Sequence, residues 1–146
     1  MKIQLTILLG FISGYTFGQP QQAEKEIQAG NDFYKQQQYD QAATQYKKAI
    51  TNEPANANAK FNLANTLAKQ GKPDEAVKSF TEISDNTKEV ELKSKAFYNK
   101  GAVLSQQKKL EESIDAYKNA LRQNPADKEA RENLQKALLE LKKKNP

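Results

Sequence analysis

The side chains that could carry out acid–base chemistry in this chain are carboxylates, lysines and tyrosines, since the sequence contains no cysteine, histidine or tryptophan. Thiol nucleophiles, serine–histidine–aspartate arrangements and zinc sites all need residues that are missing. Two adjacent acidic pairs, Asp74-Glu75 and Glu111-Glu112, have the right type for a general acid and base. Each pair stands at the start of a predicted helix, where acidic residues interact favourably with the helix dipole. The sequence therefore predicts a protein that is not an enzyme and needs no metal or cofactor.

The composition indicates a folded, helical protein. Alanine, lysine, glutamine, glutamate and leucine recur throughout the chain, and these residues are strong helix formers. Only 5 prolines and 6 glycines interrupt the 146 residues, of which 37% are hydrophobic and 28% charged. These values argue against disorder and against a membrane-spanning bundle, so we predict one all-α domain.

The chain repeats itself, first after 34 residues and then after 37. Each copy has a small residue, a leucine or aromatic residue, a second small residue, a large aromatic residue and then an aliphatic residue. The sets in register are Gly30, Ala64, Gly101; Phe33, Leu67, Leu104; Ala42, Ala76, Ser113; Tyr46, Phe80, Tyr117; and Ala49, Ile83, Ala120. Small residues allow two helices to approach closely, and large residues fill the space between them. A period of this length is typical of stacked helix pairs.

The pattern resembles the tetratricopeptide repeat (TPR), with units at residues 23–56, 57–90 and 94–127. The resemblance implies a right-handed α-solenoid of three helix pairs. Pro54 and Pro125 close the first and third units, whereas the second unit has Lys88 in that place. The early position at which the family commonly has tryptophan holds Glu26, Lys60 and Phe97. Three extra residues within 84–93 predict a first helix that is extended backward, a longer loop before it, or some of both, with the helix starting near Lys88 to Val90.

The segments at both ends have separate interpretations. Residues 1–18 combine Lys2 with an uncharged, mostly apolar run at 3–17, which is shorter than the roughly 20 residues that span a bilayer. We predict an export signal cleaved before Gln19, a flexible segment at 19–22 and a periplasmic protein. An uncleaved inner-membrane anchor and a first buried helix are the alternatives.

After the third unit, residues 128–144 predict a capping helix, as the open end of a solenoid requires. Asp127 is placed to cap its start. Its apolar stripe consists of Leu134, Ala137, Leu138 and Leu141. The chain has a net charge of +5, and this helix with its tail carries 6 basic and 3 acidic groups. Binding to anionic lipid or nucleic acid through this end is an alternative function, although a solvated helix end explains the charge more simply.

The TPR resemblance implies a concave groove, lined by the first helix of each unit, that binds a partner protein or an extended peptide. The family's groove positions correspond to Ile27, Asn31 and Tyr34, to Phe61, Asn65 and Ala68, and to Lys95, Tyr98 and Ala102. Asparagine amides can bracket a peptide backbone with one donor and one acceptor, and aromatic rings supply contact area. The alternative for Phe61 and Tyr98 is that each ring packs mostly against its own neighbours.

Some TPR proteins hold the C-terminal carboxylate of a chaperone in a clamp of lysine, arginine and asparagine side chains. Asn31, Asn62 and Lys95 match that clamp, but Ile27 and Asn99 replace its other lysine and its arginine. Two cationic donors are thus missing, and charge-assisted hydrogen bonds are the stronger ones. A chaperone-type adaptor with a carboxylate clamp is therefore an alternative to binding an internal peptide segment.

The amino-acid sequence of the repeats also resembles that of a narrower group, the exported TPR proteins of the Bat aerotolerance operons of Bacteroidetes. The resemblance lies in residues 29–35, 61–67 and 110–125, together with the export signal and the longer linker. It implies a periplasmic scaffold for membrane-anchored proteins with von Willebrand A-type domains.

Overall fold

A computed structural model describes residues 19–145, and the predicted export signal lies outside the described residues. This part of the chain forms seven α-helices and contains no strand, as the sequence predicts. The helices are α1 (Gln19–Lys35), α2 (Tyr39–Asn52), α3 (Ala57–Lys69), α4 (Pro73–Asn86), α5 (Val90–Gln106), α6 (Leu110–Gln123) and α7 (Lys128–Lys144). None of these helices is long and apolar enough to cross a membrane.

The N-terminal boundary differs from the sequence-based expectation. Residues 19–22, predicted to be flexible, belong to the first turns of α1. Pro20 is compatible with this position because the first residues of a helix leave their backbone N–H groups without a helical partner. The side chain of Gln22 adds a hydrogen bond to Glu26 (3.3 Å).

The seven helices pack as three pairs followed by a single helix. Each helix contacts the next along the chain, and α1, α3, α5 and α7 also contact one another in that order. We call these four the inner helices and α2, α4 and α6 the outer helices. The arrangement is an α-solenoid in which the inner helices form one continuous face.

The core of each pair is a large ring placed against a small residue. Tyr46, Phe80 and Tyr117 on the outer helices are buried, as are the small residues in register on the inner helices. A Cβ atom built on Gly30 would lie 2.6 Å from Cε1 of Tyr46, and one on Gly101 would lie 2.8 Å from Tyr117. The repeat period seen in the sequence is therefore the period of this ring-against-backbone contact.

Replacing Gly101 with alanine is expected to destabilise the protein, although alanine normally favours a helix by about 1 kcal/mol over glycine. The new methyl group would meet the rigid, buried ring of Tyr117 at less than van der Waals distance. We expect a loss of about 1–3 kcal/mol in the free energy of unfolding, measured by urea denaturation. Gly30→Ala should behave alike, and a gain in stability from either substitution would contradict this packing.

The junction between the second and third pairs is a short loop, so the prediction of a longer loop is wrong, because the extra residues extend α5, which has 17 residues where α3 has 13. Helix α4 ends at Asn86 and α5 begins at Val90, at the edge of the expected range. The intervening Thr87, Lys88 and Glu89 lie beside a cavity of about 690 Å³ on the outer side of the molecule. Lys60 also lines this cavity.

Helix α7 follows the third pair and covers its end. The side chain of Asp127 accepts a hydrogen bond from the backbone N–H of Ala130 (2.9 Å), which confirms the predicted cap. Ala130 and Ala137 are buried, but Leu138, predicted to belong to the covered stripe, is 44% exposed. The prediction for Leu138 is wrong because α7 packs on the side that carries the two alanines, which turns Leu138 partly toward solvent.

Candidate functional site

The inner helices position nearly all of the predicted groove residues along one face. Most of these side chains are half-buried, which leaves part of each side chain accessible to a partner: Asn31, Tyr34, Phe61, Asn62, Asn65, Ala68, Tyr98, Asn99 and Ala102. Lys95 is exposed. The exception is Ile27, which is only 7% exposed and belongs to a hydrophobic cluster with Ala23 and Ala42. The prediction that Ile27 offers a binding surface is therefore wrong, because the first pair uses it as a core residue.

Two pairs of asparagine side chains connect successive inner helices. Nδ2 of Asn62 on α3 donates to Oδ1 of Asn31 on α1 (3.1 Å). Nδ2 of Asn99 on α5 donates in the same sense to Oδ1 of Asn65 on α3 (2.7 Å). The hydroxyl of Tyr46 also donates to Oδ1 of Asn31 (2.7 Å), which ties the first pair to the core. The two bridges repeat the same connection one unit apart.

Each asparagine pair keeps one donor group and one acceptor group for another molecule. Within residues 19–145, no hydrogen bond uses Nδ2 of Asn31 and Asn65 or Oδ1 of Asn62 and Asn99. A peptide unit presents one N–H donor and one C=O acceptor, so each pair has the functional groups to hold one peptide unit. The internal bridge fixes the orientation of the amides before any ligand arrives.

A shallow cavity of about 230 Å³ lies on the same face. Five predicted groove residues line this cavity: Tyr34, Asn65, Ala68, Asn99 and Ala102. Lys69 and Gln106 line it as well. The volume suits a side chain of a bound peptide. The outer cavity at the α4–α5 junction is larger but has no comparable set of paired amides.

The aromatic residues of the groove are partly committed to internal packing. Phe61 lies edge-to-face against the buried Phe80, with ring centroids 5.7 Å apart. Tyr98 lies 5.8 Å from Tyr117, and its hydroxyl donates to Oε1 of Glu129 on α7 (2.6 Å). Phe61 and Tyr98 therefore do pack against their own neighbours, as the alternative prediction said. Each residue is only half-buried, so part of each side chain stays accessible on the groove face.

Helix α7 contributes residues that the sequence interpretation missed. Asn133 donates its Nδ2 to the hydroxyl oxygen of Tyr98 (2.9 Å), and Glu129 accepts the hydroxyl proton. Burial, followed by the hydrogen bond to Glu129, raises the pKa of Tyr98. The missed signal was the repeat register, since Asn99 follows Asn62 by 37 residues and Asn133 follows Asn99 by 34, the two repeat distances seen earlier in the chain. The inner face thus continues onto the capping helix.

Lys95 is the remaining cation from the predicted clamp positions. Its Nζ lies 2.6 Å from Oε1 of Glu91, one turn earlier on α5. The hydrogen bond and charge of Lys95 lower the pKa of the Glu91 carboxyl. Both side chains are exposed, and such ion pairs contribute little to stability. Lys95 can therefore exchange Glu91 for an acidic group on a partner at little cost.

Among the acidic residues considered for catalysis, Asp74 makes contacts between repeat units. Oδ1 of Asp74 accepts hydrogen bonds from Gln107 (2.9 Å) and Lys109 (3.3 Å), which join the second and third units. These contacts lower the pKa of the Asp74 carboxyl, the Gln107 bond having the largest effect. The equivalent contact between the first and second units joins Gln70 to Asp40 (2.6 Å). Within residues 19–145, no group of three potential ligand side chains could hold a metal ion.

The buried hydroxyl of Tyr46 predicts a stability loss at high pH. Burial, followed by the nearby Tyr34, raises the pKa of Tyr46 from 10.0 to about 12. The folded state therefore favours the neutral phenol, and this contribution is present below pH 10 and is lost as the pH rises through about 12. We expect the urea midpoint to fall across this range. Tyr46→Phe should flatten the decline, and an unchanged slope in that variant would contradict the assignment.

Comparison with known proteins relates the fold to a repeat family. A tetratricopeptide repeat model matches residues 27–91, and a second tetratricopeptide repeat model matches residues 94–127. The Hsp70-Hsp90 organizing protein of Triticum aestivum is 30% identical over 129 residues, which cover 86% of this chain and 21% of that protein. The chain thus spans about a fifth of the length of this curated relative.

Two solved structures have the same fold. The TPR2AB-domain:pHSP90 complex of yeast Sti1 superimposes with a TM-score of 0.79 and 25% identity, covering 84% of this chain and 48% of that one. The second TPR domain of human RPAP3, in complex with the HSP70 peptide SGPTIEEVD, gives a TM-score of 0.70 and 31% identity. That alignment covers 82% of this chain and 98% of the RPAP3 domain. The names of these relatives refer to Hsp70 or Hsp90, and the resemblance to the exported Bat-operon proteins stays a prediction.

Proposed function

Because the chain belongs to the tetratricopeptide repeat family, we propose that it is a protein-interaction module that binds an extended segment of a partner protein along its inner helices. The observation that carries this proposal is the repeated asparagine bridge. Asn31–Asn62 and Asn65–Asn99 each leave one donor and one acceptor for a ligand. Binding of this kind needs neither a cofactor nor a catalytic group.

The spacing of the bridges fits an extended backbone. Packed helices lie about 8–10 Å apart, and an extended chain advances about 3.3 Å per residue. Two bridges one helix step apart would therefore hold peptide units about three residues apart. The residues between these units would place a side chain into the cavity beside Tyr34 and Ala102.

Site-specific photocrosslinking in the native cell tests this function and identifies the partner. A photoreactive residue at Lys69, an exposed residue that lines the groove cavity, is expected to cross-link the partner. The matched control is Lys47, an exposed lysine on the outer helix α2. Mass spectrometry of the cross-linked product then names the bound segment. Cross-linking from Lys47 alone would place the binding surface on the outer face and contradict the proposal.

A carboxylate clamp is the second candidate function. It is favoured by Asn31, Asn62 and Lys95, which occupy clamp positions on the inner helices. It is also favoured by the two similar structures, which are complexes with pHSP90 and with an HSP70 peptide. Against it, Ile27 is buried in the core and Asn99 donates to Asn65. The clamp positions of the groove thus hold one cation, Lys95, where the clamp uses three.

A peptide with and without its terminal charge separates the two candidates. We expect SGPTIEEVD, the peptide in the RPAP3 complex, to bind weakly, with less than about a threefold change in Kd on C-terminal amidation, since a lone exposed charge pair contributes little. Asn99→Arg should create a preference for the free acid. A tenfold preference for the free acid in the unchanged protein, measured by calorimetry, would establish the clamp instead.

We further propose that the protein acts in the periplasm on envelope proteins with von Willebrand A-type domains. This part of the proposal rests on the export-like sequence of residues 1–18 and on the resemblance to the Bat-operon proteins. N-terminal sequencing of the native protein should begin at Gln19. A mature chain that retains residues 3–17 in the inner-membrane fraction would support the anchored alternative.

A further inference from the structure

One face of the capping helix α7 is open. On each earlier inner helix, the corresponding face is covered by an outer helix. Leu138 follows Leu104 by 34 residues and occupies the same place on its helix. Leu104 is 1% exposed because α6 covers it, whereas Leu138 is 44% and its neighbour Leu139 53% exposed. Among residues 19–145, no helix covers this side of α7. The result is an apolar strip with the place and direction of a helix-docking surface.

The open face is also basic. Residues three or four apart lie on the same side of a helix, and Leu138 shares its side with four exposed polar residues: Lys128, Arg131, Gln135 and Lys142. The last turn carries Lys142, Lys143 and Lys144. A partner of this face must therefore combine apolar side chains with negative charge near the C-terminal end of α7.

The outer helices of the protein show which kind of segment has these properties. Each begins with acidic residues in its first turn: Asp40 in α2, Asp74 and Glu75 in α4, and Glu111 and Glu112 in α6. An outer helix follows its inner helix through a short turn, so its first turn lies near the C-terminal end of that inner helix. The same placement on α7 would bring an acidic first turn beside Lys142–Lys144.

We propose that the open face of α7 docks an amphipathic helix of a partner protein, antiparallel to α7 and acidic in its first turn. The docked helix takes the place of an eighth helix and covers Leu138 and Leu139. Gln135 stands where Gly101 receives the ring of Tyr117. The incoming helix therefore needs a small residue at that point in place of tyrosine.

Other occupants fit the face less well. In an antiparallel pair formed by two copies of α7, Lys128 and Arg131 of one copy would approach Lys142 and Lys143 of the other, and like charges repel. A membrane surface favours a helix with a broad apolar side, whereas two leucines are exposed here. A second copy of the chain would be detected as a dimer, and a membrane surface would be detected as binding to vesicles.

The test uses a peptide with the sequence of α6, Leu110–Gln123, that carries Tyr117→Ala and Arg122→Glu, the new carboxyl forming a side-chain lactam with Lys118. The lactam is needed because isolated helices of this length are marginal in water. In a titration of the isotope-labelled full-length protein, we expect NMR shifts confined to α7 and the adjoining part of α6. Leu138→Gln with Leu139→Gln should raise the Kd at least fivefold. Val90→Gln, which changes another exposed apolar residue on α5, is the matched control and should leave the Kd unchanged.

A charge exchange adds a second test. Lys142→Glu with Lys143→Glu should weaken binding, and a peptide carrying Glu111→Lys and Glu112→Lys should restore it. Shifts absent from α7, or equal binding by the leucine variant, would overturn the proposal. It would also be overturned if sedimentation showed a dimer that Leu138→Gln dissociates. Binding to phosphatidylglycerol vesicles at physiological salt that depends on Leu138 and Leu139 would reassign the face to a membrane.

Discussion

Replacing Phe80 with alanine is expected to lower the free energy of unfolding by about 3–5 kcal/mol, because it deletes a large, fully buried ring. Phe80 is 0% exposed, and it packs within the cluster that includes Ala64, Leu92 and Ala96. This cluster joins the second helix pair to α5, so the cavity would weaken both a unit and the interface with the next one. In a repeat protein, stability depends on such neighbour interfaces.

The measurement is urea denaturation followed by hydrogen exchange of the whole chain. We expect α1 and α2 to lose cooperativity with α5 and α6, so that the two ends exchange at different rates. Leu139→Ala, at an exposed position, is the control and should change stability by less than about 0.5 kcal/mol. A Phe80→Ala variant within about 1 kcal/mol of the parent would mean that the central ring is not the main link between units.

Replacing Asn65 and Asn99 together with alanine is expected to weaken binding of the cross-linked partner segment by about 30-fold. Two hydrogen bonds to a peptide unit are lost, each contributing about 1 kcal/mol. The two side chains are hydrogen-bonded to each other (2.7 Å). Removing both therefore leaves no amide that has lost its partner. Removal of both partners of a hydrogen bond can be nearly neutral for stability. We therefore expect a binding defect without a comparable loss in Tm.

The control for this variant is Asn119→Ala on the outer helix α6, where the side chain bonds only to neighbours on the same helix. It should bind the segment as the parent does. Asn65→Asp offers a further comparison, because the carboxylate keeps the acceptor of the bridge and removes the free amide donor. Unchanged affinity in the double alanine variant would exclude the second bridge as a peptide-binding element.

The order of the helices could be predicted from sequence because one contact repeats. A ring at Tyr46, Phe80 or Tyr117 needs a small residue opposite, and both partners recur at a fixed distance in the chain. That pairing is local, within one helix pair, and therefore leaves a periodic signal. The start of α5 near Val90 followed from the three extra residues in the same count.

The groove was harder to predict because its side chains are shared between units. The sequence pattern marked Ile27 and Tyr98 as groove positions, but Ile27 fills the first core and Tyr98 bonds to α7. The bridge from Asn65 to Asn99 likewise depends on how closely α3 and α5 pack. The exposure of Leu138 depends on which side α7 turns toward α6. Such contacts are set by how neighbouring helices pack, so the repeat spacing alone does not predict them.

The central claim is that the asparagine pairs hold the backbone of an extended partner segment, and the side-chain amide resonances report on it directly. NMR titration with the cross-linked segment should shift the side-chain NH₂ signals of Asn31 and Asn65, whose Nδ2 atoms bond to no other residue among 19–145. N-methylation of the peptide unit at one bridge should abolish the shift at that asparagine alone. Saturating binding that leaves both NH₂ signals in place would contradict the account.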